Sequence, residues 1–358
     1  MTGRPSSEPD IVKRIRLRRT LSIGLFLLLL ASVFLSLMFG TVGPIGPDIP
    51  ERKGWGQFFD SVIGSGPSFD ENMRTILLEM RLPRILLACL VGAALSISGA
   101  VMQALFRNPL AEPYILGISS GAAVAVSLGL VLGLTFSVLS IPALAFSGAL
   151  LTVAAVYGIS QVRGRIKTDT LLLAGVAIAS FLSAVSFYIL YAAGKDRDLI
   201  ISWIMGSFTM TTFDEVLITF SVVAVGGLLV FLFARDMNVM LMGEETAKQL
   251  GVNVDFVKLV VLATASILAA IAVSFVGIVG FVGLIIPHVV RMILGPDNRI
   301  LIPASAFAGG TFLIWMDVLA RTLMGGQEIP IGIITAFCGA PFFVYLLRSR
   351  KTGYSYAA

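Results

Sequence analysis

From Leu21 to Leu347 the chain is a series of apolar runs long enough to cross a bilayer, most of them parted by only a few polar residues. Lipid offers no partner to a backbone amide or carbonyl, so a run of about twenty apolar residues must cross as a helix that satisfies both internally. The runs fall at 21–42, 83–106, 113–134, 140–162, 170–194, 214–234, 256–276, 277–294, 300–324 and 331–347. They predict an all-α, polytopic membrane protein of about ten transmembrane helices. One membrane domain, residues 21–347, accounts for them, with short tails at 1–20 and 348–358.

Composition matters here for what it excludes. Only 13% of the residues are charged and mean hydropathy is +0.94, whereas soluble domains are nearer a quarter charged. The net charge of +5 is not a nucleic-acid footprint, because the basic residues gather at the ends of apolar runs. Arg4, Lys13, Arg14, Arg16, Arg18 and Arg19 precede the first run, Arg163, Arg165 and Lys167 lie between the fourth and fifth, and Arg348, Arg350 and Lys351 follow the last. Cytoplasmic loops carry this excess, so both termini are expected in the cytoplasm. The first run is too long for a signal-peptide core and no A-x-A-like site follows it, which predicts a retained helix. The interval 43–79, with Pro44, Pro47 and Pro50, then faces outside and carries an interfacial amphipathic patch at Trp55–Ile63. Ile200–Phe208 reads as a half-helix at the same surface.

Chemistry-bearing groups are sparse. Cys89 and Cys338 lie inside apolar runs as buried thiols, and with one histidine, His288, there is no metal-site pattern and no bound cofactor is expected. Nucleophilic catalysis would rest on His288 alone, and its place after Pro287 near a kinked, glycine-lined helix end suits a structural role. No G-x-x-x-x-G-K-[ST] loop occurs, so nucleotide hydrolysis, if used, belongs to another subunit. Small residues recur every fourth position at Gly92/Ser96/Ala100, Ala304/Ala308, Ser305/Gly309 and Gly332/Ala336/Ala340, the spacing of helix packing faces in lipid. Asp317 is the one clear intramembrane acid. Arg321, four residues on, shares its helix face and suits an ion pair; a buried acid is also what an ion-coupled carrier needs.

Gly243–Val254, GEETAKQLGVNV, is a polar island between two apolar runs and must lie at an aqueous face. It reads as a short helix. Glu244 and Glu245 sit in the first turn, Lys248 near the end, and Gly251 supplies a left-handed cap. Spacing alone is equally met by an ordinary solvated loop helix.

Four longer segments narrow the choice. GEETAKQLGVNV, SGAVMQALFRNPLAEP, GFVGLIIPHVVR and EIPIGIITAFCGAP together resemble the FecCD-type permeases of type II ABC importers, which carry iron–siderophore, haem and cobalamin cargoes. The second-helix segment is nearest to the cobalamin branch. The resemblance implies an inverted-repeat core, a pore between two copies of the chain, a cytoplasmic ATPase dimer holding ATP and Mg, and an extracytoplasmic substrate-binding protein. It assigns Gly243, Glu244, Glu245, Thr246, Ala247, Lys248, Gln249, Leu250 and Gly251 to the helix that presses on the ATPase. Arg81 and Arg84 in RLPR, with Arg321 in DVLAR, match arginines that dock acidic residues of the binding protein. In the cobalamin branch a Thr-Ser pair ahead of LLLAGV narrows the cytoplasmic exit. The matching residues are Thr168 and Asp169, and the change from Ser to Asp leaves a helix N-cap role for Asp169 open. An ion-coupled secondary carrier is the alternative from another class.

Overall fold

The computed structural model describes residues 8–39, 60, 64, 71–162, 165–166, 168–209, 211–324 and 327–349. Apart from Asp60, the expected interfacial patch at Trp55–Ile63 lies outside them, as do the first seven residues and the basic tail beyond residue 349. In chain order the helices are α1 (Glu8–Met38), α2 (Glu71–Leu105), α3 (Ile118–Val131), α4 (Ser140–Ser160) and α5 (Thr168–Ala192). There follow α6 (Arg197–Met205), α7 (Phe213–Leu232), α8 (Ala234–Met240), α9 (Glu244–Gln249), α10 (Val254–Val276), α11 (Val282–Leu294), α12 (Asn298–Thr322) and α13 (Ile331–Ser349). A two-residue antiparallel ribbon, Gln161–Val162 with Arg165–Ile166, closes the turn from α4 to α5.

Among the described residues seven helices, α1, α2, α4, α5, α7, α10 and α12, are long and apolar enough to cross a membrane, and α3, α11 and Ile331–Tyr345 of α13 are shorter apolar helices. They match the ten expected runs. Burial separates centre from rim: the most apolar windows of α2 and α10 are 78% and 72% buried, against 22% for α1 and α5. The rim helices turn Leu173, Phe181, Phe187 and Tyr191 of α5 outward. In lipid such faces carry no penalty, and close packing rather than hydrophobicity must join the helices.

The most extensive helix contact, α2 against α12, shows how. A Cβ on Gly92 would strike the Gly309 carbonyl, and one on Gly309 would strike the Gly92 carbonyl and Ser96 Oγ. Two seams read separately in the sequence thus form one interface.

Three boundaries differ from expectation. First, α2 begins at Glu71 rather than at Pro83. A π-helical turn over Ile76–Arg81, in which the Leu82 N–H reaches the Leu77 carbonyl, widens the helix just ahead of the proline, so the ring clears the preceding turn. Second, the run 113–134 is a 3₁₀ turn (Pro113–Leu116) and then α3, parted at Gly117, which has φ of 77°. Third, Gly277–Leu294 is not merely kinked. Residues 277–281 leave the helix, and α11 starts only after Phe281, itself at φ 68°. The carbonyls of the break are used by neighbours: Ser207 N–H donates to Val276 O at 2.8 Å and Tyr114 Oη to Val279 O at 3.0 Å. Irregular backbone inside a membrane protein persists on that condition.

Candidate functional site

Charged side chains concentrate at the two ends of the central helices. Arg84 lies just past the π turn of α2 and Leu105 at its finish, roughly 30 Å apart at the α-helical rise. The antiparallel α12 carries Asn298 at one end and Asp317 with Arg321 at the other.

The Leu105 end holds α9. Gly251 N–H donates to Lys248 O and Val252 N–H to Ala247 O, both at 3.0 Å, with Gly251 at φ 85°. These are the paired bonds of a Schellman cap, so the glycine stands where the sequence put it. Ala247 is fully buried, Lys248 bonds Glu245 at 3.2 Å, and Glu245, Gln249 and Leu250 face outward.

Three ties fix this small helix and the preceding α8 to the central helices. Lys258 of α10, only 7% exposed, places Nζ 2.7 Å from Glu244 Oε1. Arg107, just past α2, donates through Nη2 to Met240 O at 2.6 Å. Asn238 of α8 donates to Asp297 Oδ1 at 2.6 Å and accepts the Asn298 N–H at 2.8 Å at the start of α12. α9 is thus tied directly to α10, and the adjoining α8 to the ends of α2 and α12.

Thr168 and Asp169 open α5 at the same end. Thr168 lines a cavity of about 20 Å³ with Leu105, Phe106, Leu171, Leu262 and Lys258. Asp169 lies within the first turn rather than ahead of it, so the N-cap role left open in the sequence is not the one it has. Its exposed charge still faces the positive end of the helix dipole.

At the opposite end Arg81, Arg84 and Arg321 come together as interior groups. Arg81 and Arg321 are 6% and 4% exposed. Arg84 Nε and Nη2 lie 2.9 and 2.8 Å from Asp317 Oδ1, while its Nη1 donates to Glu328 Oε1 and Oε2 at 2.7 and 2.9 Å. Arg321 Nε is 3.0 Å from Asp317 Oδ2, so the expected i,i+4 pair forms, though its N–H is not aligned for a hydrogen bond and the attraction is Coulombic. Arg81 Nη1 and Arg321 Nη1 donate to the carbonyls of Leu37 and Phe39 at the end of α1.

Glu328 is the solvent edge of this cluster. Partial burial alone would raise its carboxyl, but the hydrogen bond and charge of Arg84, then the Thr209 hydroxyl at 3.1 Å and the Arg321 charge, hold it below the usual carboxylate value. Its contribution to stability is present above the ordinary carboxylate range and is lost as pH falls below that range.

Lys258, Arg107 and Glu328 were not singled out in the sequence. Arg107 and Glu328 pair with residues far along the chain and Lys258 with one on a separate helix, and helical spacing holds no trace of such a partner. The one available signal was a carboxylate in EIPIGIITAFCGAP entering the last helix, opposite the RLPR arginines.

Among the described residues, a bundle of ten apolar helices, three of them central, with a pinned polar helix at one end and an arginine cluster at the other, is the architecture of a multi-span membrane permease. The chain belongs to the FecCD transport family, whose profile matches residues 26–349. It is 47% identical over 281 residues to the cobalamin import system permease protein BtuC of Halobacterium salinarum, covering 78% of this chain and 75% of that one. It is 40% identical over 292 residues to the hemin transport system permease protein HmuU of Yersinia pestis, covering 79% and 86%. A solved inward-facing conformation of a metal-chelate type ABC transporter matches with a TM-score of 0.78 at 31% identity, over 92% of this chain and 99% of that one. These relatives are transport subunits rather than enzymes.

Proposed function

We propose that this chain is the membrane subunit of an ATP-driven, binding-protein-dependent importer that moves a metal-chelate cargo (iron–siderophore, haem or cobalamin) into the cytoplasm by alternating access. The observation that carries the proposal is the tie of α8 and α9 to three central helices, α9 to α10 through Glu244 and α8 to α2 and α12 through Met240 and Asn238. A short polar helix so anchored can receive force at its exposed face and pass it inward. Residues Gly243–Gly251 are that receiving surface, and a cytoplasmic ATPase dimer, holding ATP and Mg, supplies the force. Two copies of the chain enclose the pore in the cell's inner membrane. Both termini are cytoplasmic, in keeping with the basic residues ahead of the first span and after the last. Thr168 and Asp169 border the cytoplasmic exit beside Lys258.

At the other end Arg81, Arg84 and Arg321 receive the acidic residues of an extracytoplasmic substrate-binding protein, since arginine forks suit carboxylates. The ion-coupled alternative needs Asp317 free to take up a proton or cation. Its two oxygens are instead engaged by Arg84 and Arg321 within 3.0 Å.

The test is cargo uptake into proteoliposomes containing the permease and its ATPase, with binding proteins loaded with cobalamin, haem or a ferric hydroxamate. Uptake is expected with one of the three, only with ATP on the ATPase side and only with the binding protein present. Uptake of free cargo at the same rate without a binding protein would overturn the docking assignment.

A further inference from the structure

Of the three arginines proposed to receive the binding protein, Arg84 and Arg321 already lie against carboxylates, and the two carboxylates concerned differ sharply. Asp317 is 1% exposed at its side chain and engages two guanidinium groups. Glu328 is 41% exposed, rests on Arg84 Nη1 alone among the arginines, and borders an open apolar cavity of about 540 Å³ formed with Leu323, Ile333, Ile334 and Phe337. A buried pair of the first kind cannot be opened without leaving charges stranded. An ion pair at the solvent edge is weak and can exchange.

We infer that Glu328 is a stand-in carboxylate: it holds the outer nitrogen of Arg84 while the permease is alone, and an acidic side chain of the extracytoplasmic binding protein displaces it on docking. The inference rests on the docking assignment above and adds a competitor to it. Glu328 and the incoming carboxylate want the same donor in the same geometry, a guanidinium N–H facing two oxygens. The displaced side chain has solvent to enter, because its far edge is open. Its second tether, the Thr209 hydroxyl at 3.1 Å, comes from the segment after α6, and that hydroxyl also lies 2.5 Å from Ser207 Oγ. Exchange at Arg84 therefore also releases a link between this segment and the loop entering α13. The bare permease avoids presenting an unsatisfied cation at its mouth, and the binding protein must outcompete a resident group of equal chemistry.

The sign of one substitution tests this. Binding of the three loaded binding proteins is measured on the full permease–ATPase complex in lipid nanodiscs for the wild type, Glu328→Gln, Thr209→Val and Arg84→Lys. Removing a competitor tightens binding, so Glu328→Gln is expected to lower Kd roughly fivefold, the equivalent of an exposed ion pair. Thr209→Val loosens the same carboxylate and shifts Kd in the same direction by less. A merely structural role for Glu328 would weaken binding or leave it unchanged. If Glu328→Gln binds no tighter while Arg84→Lys binds more weakly, the stand-in role is wrong and the docking assignment stands. If Arg84→Lys binds like the wild type, the docking assignment itself fails. Unfolding midpoints of all four proteins guard against a change in folded fraction.

Discussion

Replacing Asp317 by alanine is expected to destabilise the permease by roughly 3–5 kcal/mol, the cost of stranding buried charges when one partner of a buried pair is removed. Arg84 and Arg321 both lean on this carboxylate, at 2.8 and 3.0 Å, and neither can turn fully to water: Arg321 is 4% exposed and the Arg84 side chain 11%. Asp317→Asn keeps the shape and one acceptor, and should cost less. Glu328→Gln, at the solvent edge of the same cluster, should change stability by no more than about 1 kcal/mol. The three variants are ranked by unfolding midpoint in detergent and by the yield of folded protein. If Asp317→Ala unfolds with the wild type, the two arginines are not held by it and the cluster is not the rigid base that docking needs.

Breaking the Glu244–Lys258 pair should separate ATP hydrolysis from transport. Lys258→Met keeps the length and the buried stem of the side chain but removes the Nζ contact to α9 at 2.7 Å. The expectation is ATP turnover near the wild-type rate with cargo moved per ATP reduced about fivefold or more, at the lower end of typical coupling energies. Glu244→Arg should be worse, since it sets a second cation against the buried Lys258. Exchanging the charges, Glu244→Lys with Lys258→Glu, restores the attraction and should recover part of the coupling. If Lys258→Met transports normally, force from α9 runs through Arg107 and Asn238 instead. If the exchange rescues nothing while Lys258→Met is impaired, Glu244 matters for what it touches on the ATPase.

Much of the architecture was legible in sequence because its causes are local. Runs of apolar residues mark the crossings whatever they pack against, and Gly251 announces a helix end because a left-handed residue is needed there. Small residues four apart mark a packing face, although only the structure pairs Gly92 with Gly309. The Asp317–Arg321 pair was visible for the same reason, both members lying on one helix turn. Most of the failures have non-local causes. Pro83 reads as a helix start, yet the π turn ahead of it lets the helix run through from Glu71. The burial of Arg81, Arg84 and Arg321 follows from where α1, α2 and α12 converge, and no motif around RLPR or DVLAR carries that. Glu328 and Lys258 take their meaning from Arg84, 244 residues away, and from Glu244 on a separate helix.

The most direct test of the central claim is ATP hydrolysis by the permease–ATPase complex in proteoliposomes, measured with and without each loaded binding protein for the wild type and Glu244→Arg. Stimulation by one loaded binding protein is expected, with that hydrolysis no longer driving cargo inward in Glu244→Arg. Cargo accumulation driven by an ion gradient in vesicles holding this chain and no ATPase would contradict the importer mechanism and make the chain a secondary carrier.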